Sequence, residues 1–333
     1  MPDRAAAGEE ALIQGHLARL SAKAPGALGL EDDCAILRPE PGHDLVLTTD
    51  AVAAGVHFFP DDVPADIGWK ALAVNVSDLA AKSARPLAYL MALSFPEPPS
   101  HAWMSAFAGG LAEAQAAFGC TLLGGDTDRR PGPISITITA IGAVPAGCLV
   151  PRSGARPGDL VYVSGTLGDA ALGLKLRQEP ALARSWKLDE PSAAALRSRY
   201  LRPQPRLALG PGLREHASAA MDISDGLAKD LSRMAAASGV AAIVRTRMVP
   251  LSPAAQQAVG AAPALLDAAM TGGDDYEILC TVPPSAARTF EAAAATAGVG
   301  VTCVGEIAAG HGCRFLDEGG REITFSRPGY DHF

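Results

Sequence analysis

Apolar residues recur at Leu12, Ile13, Leu17 and Leu20 between Glu9 and Ser21, a spacing that predicts a first helix. Asp44-Leu-Val-Leu-Thr-Thr-Asp50 reads as a short buried strand that ends in polar residues, and Ile67 to Ala84 as a helix containing Asn75-Val-Ser-Asp78. Leu87 to Phe95 is strand-like and Ala102 to Phe118 helical. Thr121 to Leu123 runs into Gly124-Gly125-Asp126, and Ile134 to Val144 is β-branched enough for a long strand. The turn-rich run Pro151-Arg-Ser-Gly-Ala-Arg-Pro-Gly158 sets a domain boundary, dividing the chain into 1–150 and 151–333. The second part repeats the mixture. Leu160 to Ser164 is a strand, and Gly165-Thr-Leu-Gly168 leads into a helix. Leu201-Arg-Pro-Gln-Pro205 breaks the chain, Ala220-Met-Asp-Ile-Ser-Asp-Gly226 opens another helix, and Tyr276 to Val282 is a strand. Ala292 to Ala295 reads as helix surface, because Ala is the best helix former. The fold class is α+β, a mixed α/β chain of two domains.

Composition narrows the class of protein. At 333 residues the chain can form two cores, and 48% hydrophobic with 19% charged residues describes an ordered globular protein. Twenty-eight Lys and Arg against 36 Asp and Glu give a net charge of −8, which argues against nucleic acid as a ligand. No apolar run approaches the ~20 residues that span a bilayer. The start, Met1-Pro2-Asp3-Arg4 and then Ala-rich sequence, lacks the pattern of a signal peptide. The six cysteines are scattered singly, without metal-site spacing, and read as free thiols of a cytoplasmic protein.

The chemistry lies in carboxylates placed where apolar runs end: Asp32, Asp33, Asp50, Asp78, Asp126, Asp222, Asp225, Asp274 and Asp275. Any one of them can be a helix cap or turn former. Together they resemble a ligand site, because strand ends in mixed folds are where ligands collect. If they converge they need a cation, since two carboxylates ~4 Å apart repel by roughly 4 kcal/mol at an effective dielectric near 20. Oxygen donors, with the hydroxyls of Thr48 and Thr49 and no Cys or His at ligand spacing, suit Mg²⁺ or Mn²⁺ better than zinc, and such ions bring phosphorylated substrates. The signatures of zinc proteases, α/β-hydrolases, dinucleotide folds and P-loops are missing.

These motifs resemble the thiamine-monophosphate kinase family, of the superfamily that includes aminoimidazole ribonucleotide synthetase and selenophosphate synthetase. The resemblance runs through Asp32-Asp33-Cys34-Ala35, Thr48-Thr49-Asp50, Ala54-Gly-Val-His-Phe58 and Lys70-Ala-Leu-Ala-Val-Asn-Val-Ser-Asp-Leu-Ala-Ala81. It continues through Gly124-Gly-Asp-Thr127, Arg152-Ser-Gly-Ala-Arg-Pro-Gly-Asp159, Asp222-Ile-Ser-Asp-Gly226, Gly272-Gly-Asp-Asp-Tyr-Glu277 and Gly329-Tyr-Asp-His-Phe333. It implies transfer of the ATP γ-phosphoryl group to the phosphate of thiamine monophosphate, by a homodimer whose N-terminal sheets pair into a β-barrel. It also implies a C-terminal α/β domain that completes the active-site cleft.

Carried over position by position, the resemblance makes Asp33, Thr48, Thr49, Asp50, Asp78, Asp126, Asp222 and Asp225 ligands of several Mg²⁺ ions. Gly125, Asp126, Arg152 and Ser224 would hold ATP, and His57, Asp274 and Arg327 would meet the thiamine substrate. No side-chain base is expected, because the attacking phosphate is largely ionised at neutral pH. Three positions depart from the family pattern. Glu31 stands where a glycine with φ > 0 is usual, Asp274 where Glu is common, and Arg327 where an aromatic residue stacks on substrate in some members. The rival readings are a ring-closing synthetase of the same superfamily, a Mg²⁺-dependent phosphohydrolase and a non-catalytic nucleotide-binding scaffold.

Overall fold

The computed structural model describes residues 9–327 and 329–331, and it is a mixed α/β chain with one sheet in each of two compact units. The first unit runs to Leu79 and resumes over Ala84–Gly147. The second takes Ala80–Ser83 together with Cys148 onward.

In the first unit, strands β1 (His43–Ala53), β2 (Arg85–Phe95), β3 (Thr121–Arg129) and β4 (Ser135–Pro145) lie in the order β1-β4-β2-β3. Helix α1 spans Pro64–Ala81 and helix α2 spans His101–Phe118. Strands β2 and β3 are parallel because α2 is the crossover between them; the other pairs are antiparallel. Ser100 caps α2 by accepting the Trp103 N–H, and Gly119, at φ 73°, ends it in the left-handed conformation. Leu72, Val76, Tyr89, Met104, Phe107, Leu111, Leu122 and Ile136 are buried where the helices cover the sheet, each such side chain contributing roughly 1.5–3 kcal/mol. Gly68 and Gly110 allow the close helix contact: a Cβ on either would sit 2.4 Å from Phe107 O or 1.9 Å from Ala65 O.

The second unit has β5 (Leu160–Ser164), β6 (Ala219–Ile223), β7 (Ala241–Arg245), β8 (Glu277–Val282), β9 (Val301–Ala308), β10 (Gly312–Leu316) and β11 (Glu322–Ile323). Their order is β11-β10-β7-β9-β5-β8-β6. Alternation along β5 feeds two cores: Val161 and Val163 pack with Leu227, Leu231 and Met234 of helix α5 (Leu227–Ser238), while Tyr162 packs with Phe290 and Leu213 on the other face. Helices α3 (Asp169–Gln178) and α4 (Glu190–Leu201) form a further cluster around Leu172, Leu176 and Leu196.

Several expectations need adjustment. Residues 9–21 are helical, but Ile13–Leu17 is wound as a π-turn segment. The Gly124-Gly125-Asp126 motif and Asp50 lie inside strands, because pairing with β2 and β4 continues past the apolar residues. The first half of Ala220–Gly226 is strand β6, and the helix begins only at Leu227. Within Ala292–Ala295, Ala294 is buried beside Phe290. Glu31 has φ −108°, so it has no need of a glycine's freedom; the left-handed residues of that turn are Leu28, Gly29 and Leu30. Among the described residues no helix is long and apolar enough to cross a membrane.

Candidate active site

Alternation along β1 places Thr48 and Asp50 on one face and Thr49 on the other. On the first face the Thr48 hydroxyl donates to Asp78 Oδ2 of α1 at 2.5 Å, and Asn75 Oδ1 accepts the Asp50 N–H at 2.9 Å. Asn75 is fully buried and itself donates to Ala71 O, so its amide is fixed before it meets the strand. On the second face Thr49 donates to Ile138 O and accepts from the Thr139 hydroxyl, both at 3.1 Å. The two adjacent threonines expected as ligands of one cluster therefore point apart within the single chain.

Asp126 follows two glycines on β3, beside Ala92 of β2. Its carboxylate accepts the Thr127 N–H at 2.8 Å. Gly125 is required by the sheet itself, since a Cβ there would lie 1.8 Å from Met91 O. Asp126, Thr127, Asp32, Asp33 and Cys34 line a cavity of about 620 Å³ whose apolar wall includes Leu17, Leu30, Leu90 and Ile141. That volume and mixed lining fit a small-molecule site.

His57 sits in the turn after β1. The Ala53 N–H donates to its Nδ1 at 3.1 Å, so the neutral ring carries its proton on Nε2 and offers a donor. The buried Lys70 ammonium donates to His57 O at 2.9 Å and holds the turn from below.

In the second unit, Asp222 is buried at the end of β6. Ser224 and Asp225 follow, and both of their N–H groups donate to Oδ2 of Asp230, at 3.0 and 2.9 Å. Asp230 is fully buried in α5, and that burial pushes its carboxyl up to about 6. The Asp225 carboxylate is paired with Arg233 at 2.5 Å and Lys229 at 3.5 Å. A cation at Asp225 would compete with these partners. The C-terminal segment docks on the same turn, with Tyr330 N donating to Asp225 O; His332 and Phe333 of the terminal motif lie outside the described residues.

Residues 272–276 lie alongside this turn, with Asp274 N donating to Ser224 O at 2.9 Å and Tyr276 N to Ile223 O at 2.8 Å. Asp274 and Tyr276 have φ of 72° and 51°, a conformation that costs non-glycine residues about 1–3 kcal/mol each. Between them, Asp275 is buried and caps α3 through the Gly168 and Ala170 N–H groups, and its burial pushes the carboxyl well up. Arg152 and Arg327 are exposed.

The sequence pattern gives no role to Lys70, Asn75, Asp230, Arg199, Arg206 or Glu277, whereas Asp275, read from it as one of the candidate carboxylates, is a helix cap. The usable signal was a polar residue inside an otherwise apolar element, as with Lys70 and Asn75 in α1. Among the described residues no group of three or more His, Cys, Asp or Glu side chains gathers closely enough to enclose a metal ion. The donors that do meet, Thr48 with Asp78, and Asp50 on the same strand face, are all oxygens. They fit Mg²⁺, which binds through one or two carboxylates and completes its shell with water and phosphate oxygens.

Residues 31–144 match the family model for the N-terminal domain of AIR synthase related proteins, and residues 156–318 match that for the C-terminal domain. A thiamine-monophosphate kinase of Caulobacter vibrioides is 43% identical over 324 residues, covering 95% of this chain and 90% of its own. A crystal structure of thiamine-monophosphate kinase from Stenotrophomonas maltophilia superposes with a TM-score of 0.83 at 40% identity, covering 91% of this chain and 95% of its own. A structure described as AaThiL complexed with AMPPCP and TMP gives a TM-score of 0.77 at 32% identity, covering 98% and 97%.

Proposed function

Because the chain belongs to the thiamine-monophosphate kinase family of AIR synthase related proteins, we propose that it transfers the γ-phosphoryl group of ATP to the phosphate of thiamine monophosphate, giving thiamine diphosphate and ADP. The observation that carries this reading is the match over nearly the whole chain to a kinase solved with AMPPCP and TMP, at 32% identity and a TM-score of 0.77. The Thr48, Asp50 and Asp78 oxygens add a phosphate-metal chemistry to it.

The acceptor phosphate needs no side-chain base, since it is largely ionised at neutral pH. What the chain must supply is alignment of two polyanions for in-line displacement. In the first unit Asp33, Thr48, Asp50, Asp78 and Asp126 would hold Mg²⁺, with Thr49, on the opposite strand face, reaching a separate ion; in the second unit Asp222 would do so, and Asp225 by exchanging its Lys229 and Arg233 partners. When bound, the metal supplies positive charge against phosphate oxygens. Arg152, whose side chain is exposed, and Gly125, Asp126 and Ser224 hold the nucleotide phosphates. In the first unit His57 would meet the thiamine substrate through its Nε2 proton, and in the second unit Asp274 and Arg327 are the residues proposed for that substrate.

The working enzyme is a homodimer. Strand β1 is an 11-residue edge strand carrying Leu45 and Leu47, 37% and 62% exposed, on the face opposite α1. A long apolar edge of this kind is a pairing surface. Two such sheets brought together form the β-barrel of the family. Its six free thiols support a cytoplasmic enzyme, since disulfides are rare in that reducing compartment.

ADP release measured with and without thiamine monophosphate tests the reading. Release that requires the acceptor is the expected result. Release of equal rate without it would make the protein a phosphohydrolase.

A further inference from the structure

The Tyr276 hydroxyl donates to Asp274 Oδ1 at 3.1 Å, and both residues hold a left-handed φ that glycine would adopt without strain. Asp tolerates that conformation through its short polar side chain, but a bulky Tyr does not, so the surroundings must hold it. They do so from several sides. Tyr276 is itself buried, and its N–H is tied to Ile223 O. The next residue, Glu277, is fully buried and receives Ser164 Oγ at 2.6 Å, Arg199 Nη2 at 2.7 Å and Arg206 Nε at 2.7 Å. Arg199 also donates to Asp275 O at 3.3 Å. Before the strained pair, Gly273 is packed so closely that a Cβ would lie 2.3 Å from Ser224 O.

A fold with this many anchors on one five-residue turn fixes where the Asp274 carboxylate points. Packing alone would be served by Phe at position 276, so the hydroxyl is what the conformation delivers. From this geometry we infer that Tyr276 is a positioning residue for the acceptor substrate: its hydroxyl orients the Asp274 carboxylate toward the cationic, amine-bearing rings of the acceptor. The inference rests on the kinase reading above. It assigns Tyr276 no contact with the transferred phosphoryl group, and it makes the Arg199–Glu277–Arg206 cluster the foundation of the turn.

The test is steady-state kinetics of the full-length protein with ATP, Mg²⁺ and thiamine monophosphate. Wild type, Tyr276→Phe, Asp274→Asn and the double variant are compared, each with a melting curve. Phe keeps the ring and the backbone, so the melting temperature of Tyr276→Phe should stay close to wild type. The expected result is a KM for thiamine monophosphate raised about fivefold or more, a KM for ATP within about twofold, and a smaller change in kcat. Because the hydroxyl acts through Asp274, adding Tyr276→Phe to Asp274→Asn should raise that KM no further. An unchanged KM in the single variant, independent multiplication in the double variant, or an equal effect on ATP would overturn the inference while leaving the kinase reading in place. A wild-type protein that does not phosphorylate thiamine monophosphate would overturn both.

Discussion

Thr48 on β1 and Asp78 on α1 are joined by a 2.5 Å hydrogen bond between residues thirty apart in sequence. The strand and helix thereby hold two oxygen donors together, and Asp50 shares the strand face. Replacing either carboxylate by its amide removes charge while preserving shape. Asp50→Asn and Asp78→Asn are each expected to lower kcat by about 10²–10³-fold or more. Neither should move the melting temperature by more than a few degrees, since both side chains are at least partly exposed. Full activity in both variants would remove these residues from the phosphate site.

His57 offers Nε2–H because its Nδ1 is taken by Ala53 N. His57→Ala should raise the KM for thiamine monophosphate roughly tenfold and leave that for ATP nearly unchanged. An effect confined to ATP would place the ring on the nucleotide instead.

Gly124 and Gly125 are adjacent yet differ in what they allow. A Cβ on Gly124 would meet only Leu90 Cδ2 at 3.6 Å, whereas one on Gly125 would strike Met91 O at 1.8 Å. Gly125→Ala should therefore destabilise the protein by at least about 2–3 kcal/mol in urea titration, and Gly124→Ala by under about 1 kcal/mol. Equal stability of the two variants would show that Gly125 serves phosphate approach rather than the sheet.

His16 and His101 share one hydrogen bond at 3.0 Å. Burial, then His101, then Arg19 hold the His16 pKa below its ordinary 6.5. The folded chain thus binds fewer protons than the unfolded one, and stability contributed here is lost as pH falls below 6.5. Hydrogen exchange at residues 10–21, corrected for intrinsic rates, should quicken on lowering the pH from about 7.5 to about 5.5. His16→Gln should abolish that quickening, and its persistence in the variant would assign it elsewhere.

Leu47 is 62% exposed on an edge strand. Leu47→Asp should shift the protein from dimer to monomer in analytical ultracentrifugation, with β1 still folded. A dimer of unchanged affinity would locate the subunit contact on another surface.

The strands and long helices of the first unit were readable because their apolar periods are long and end in clear turn residues. The apolar pattern ends β3 at Leu123, but strand pairing is non-local: β2 carries the ladder on to Arg129 whatever the polarity of β3. For the same reason β6 was hidden in the Asp222–Gly226 motif, whose turn residues suggested a helix start. The opposed directions of Thr48 and Thr49 follow from strand alternation in a segment whose pattern already reads as a strand, and the ladder with β4 carries that strand on to Ala53. Buried supports such as Asp230 and Glu277 carry no local signature. Their partners, Arg233 and Arg199 among them, are identified only when helices pack on the turns.

The central claim is direct transfer from ATP to a phosphate acceptor, and a labelling experiment tests it most directly. The purified protein would be incubated with Mg²⁺, thiamine monophosphate and ATP labelled in its γ-phosphate, and the products separated by chromatography. The account predicts label in the terminal phosphate of thiamine diphosphate, in amount equal to the ADP formed. Label appearing only as inorganic phosphate, with thiamine monophosphate unchanged, would contradict it.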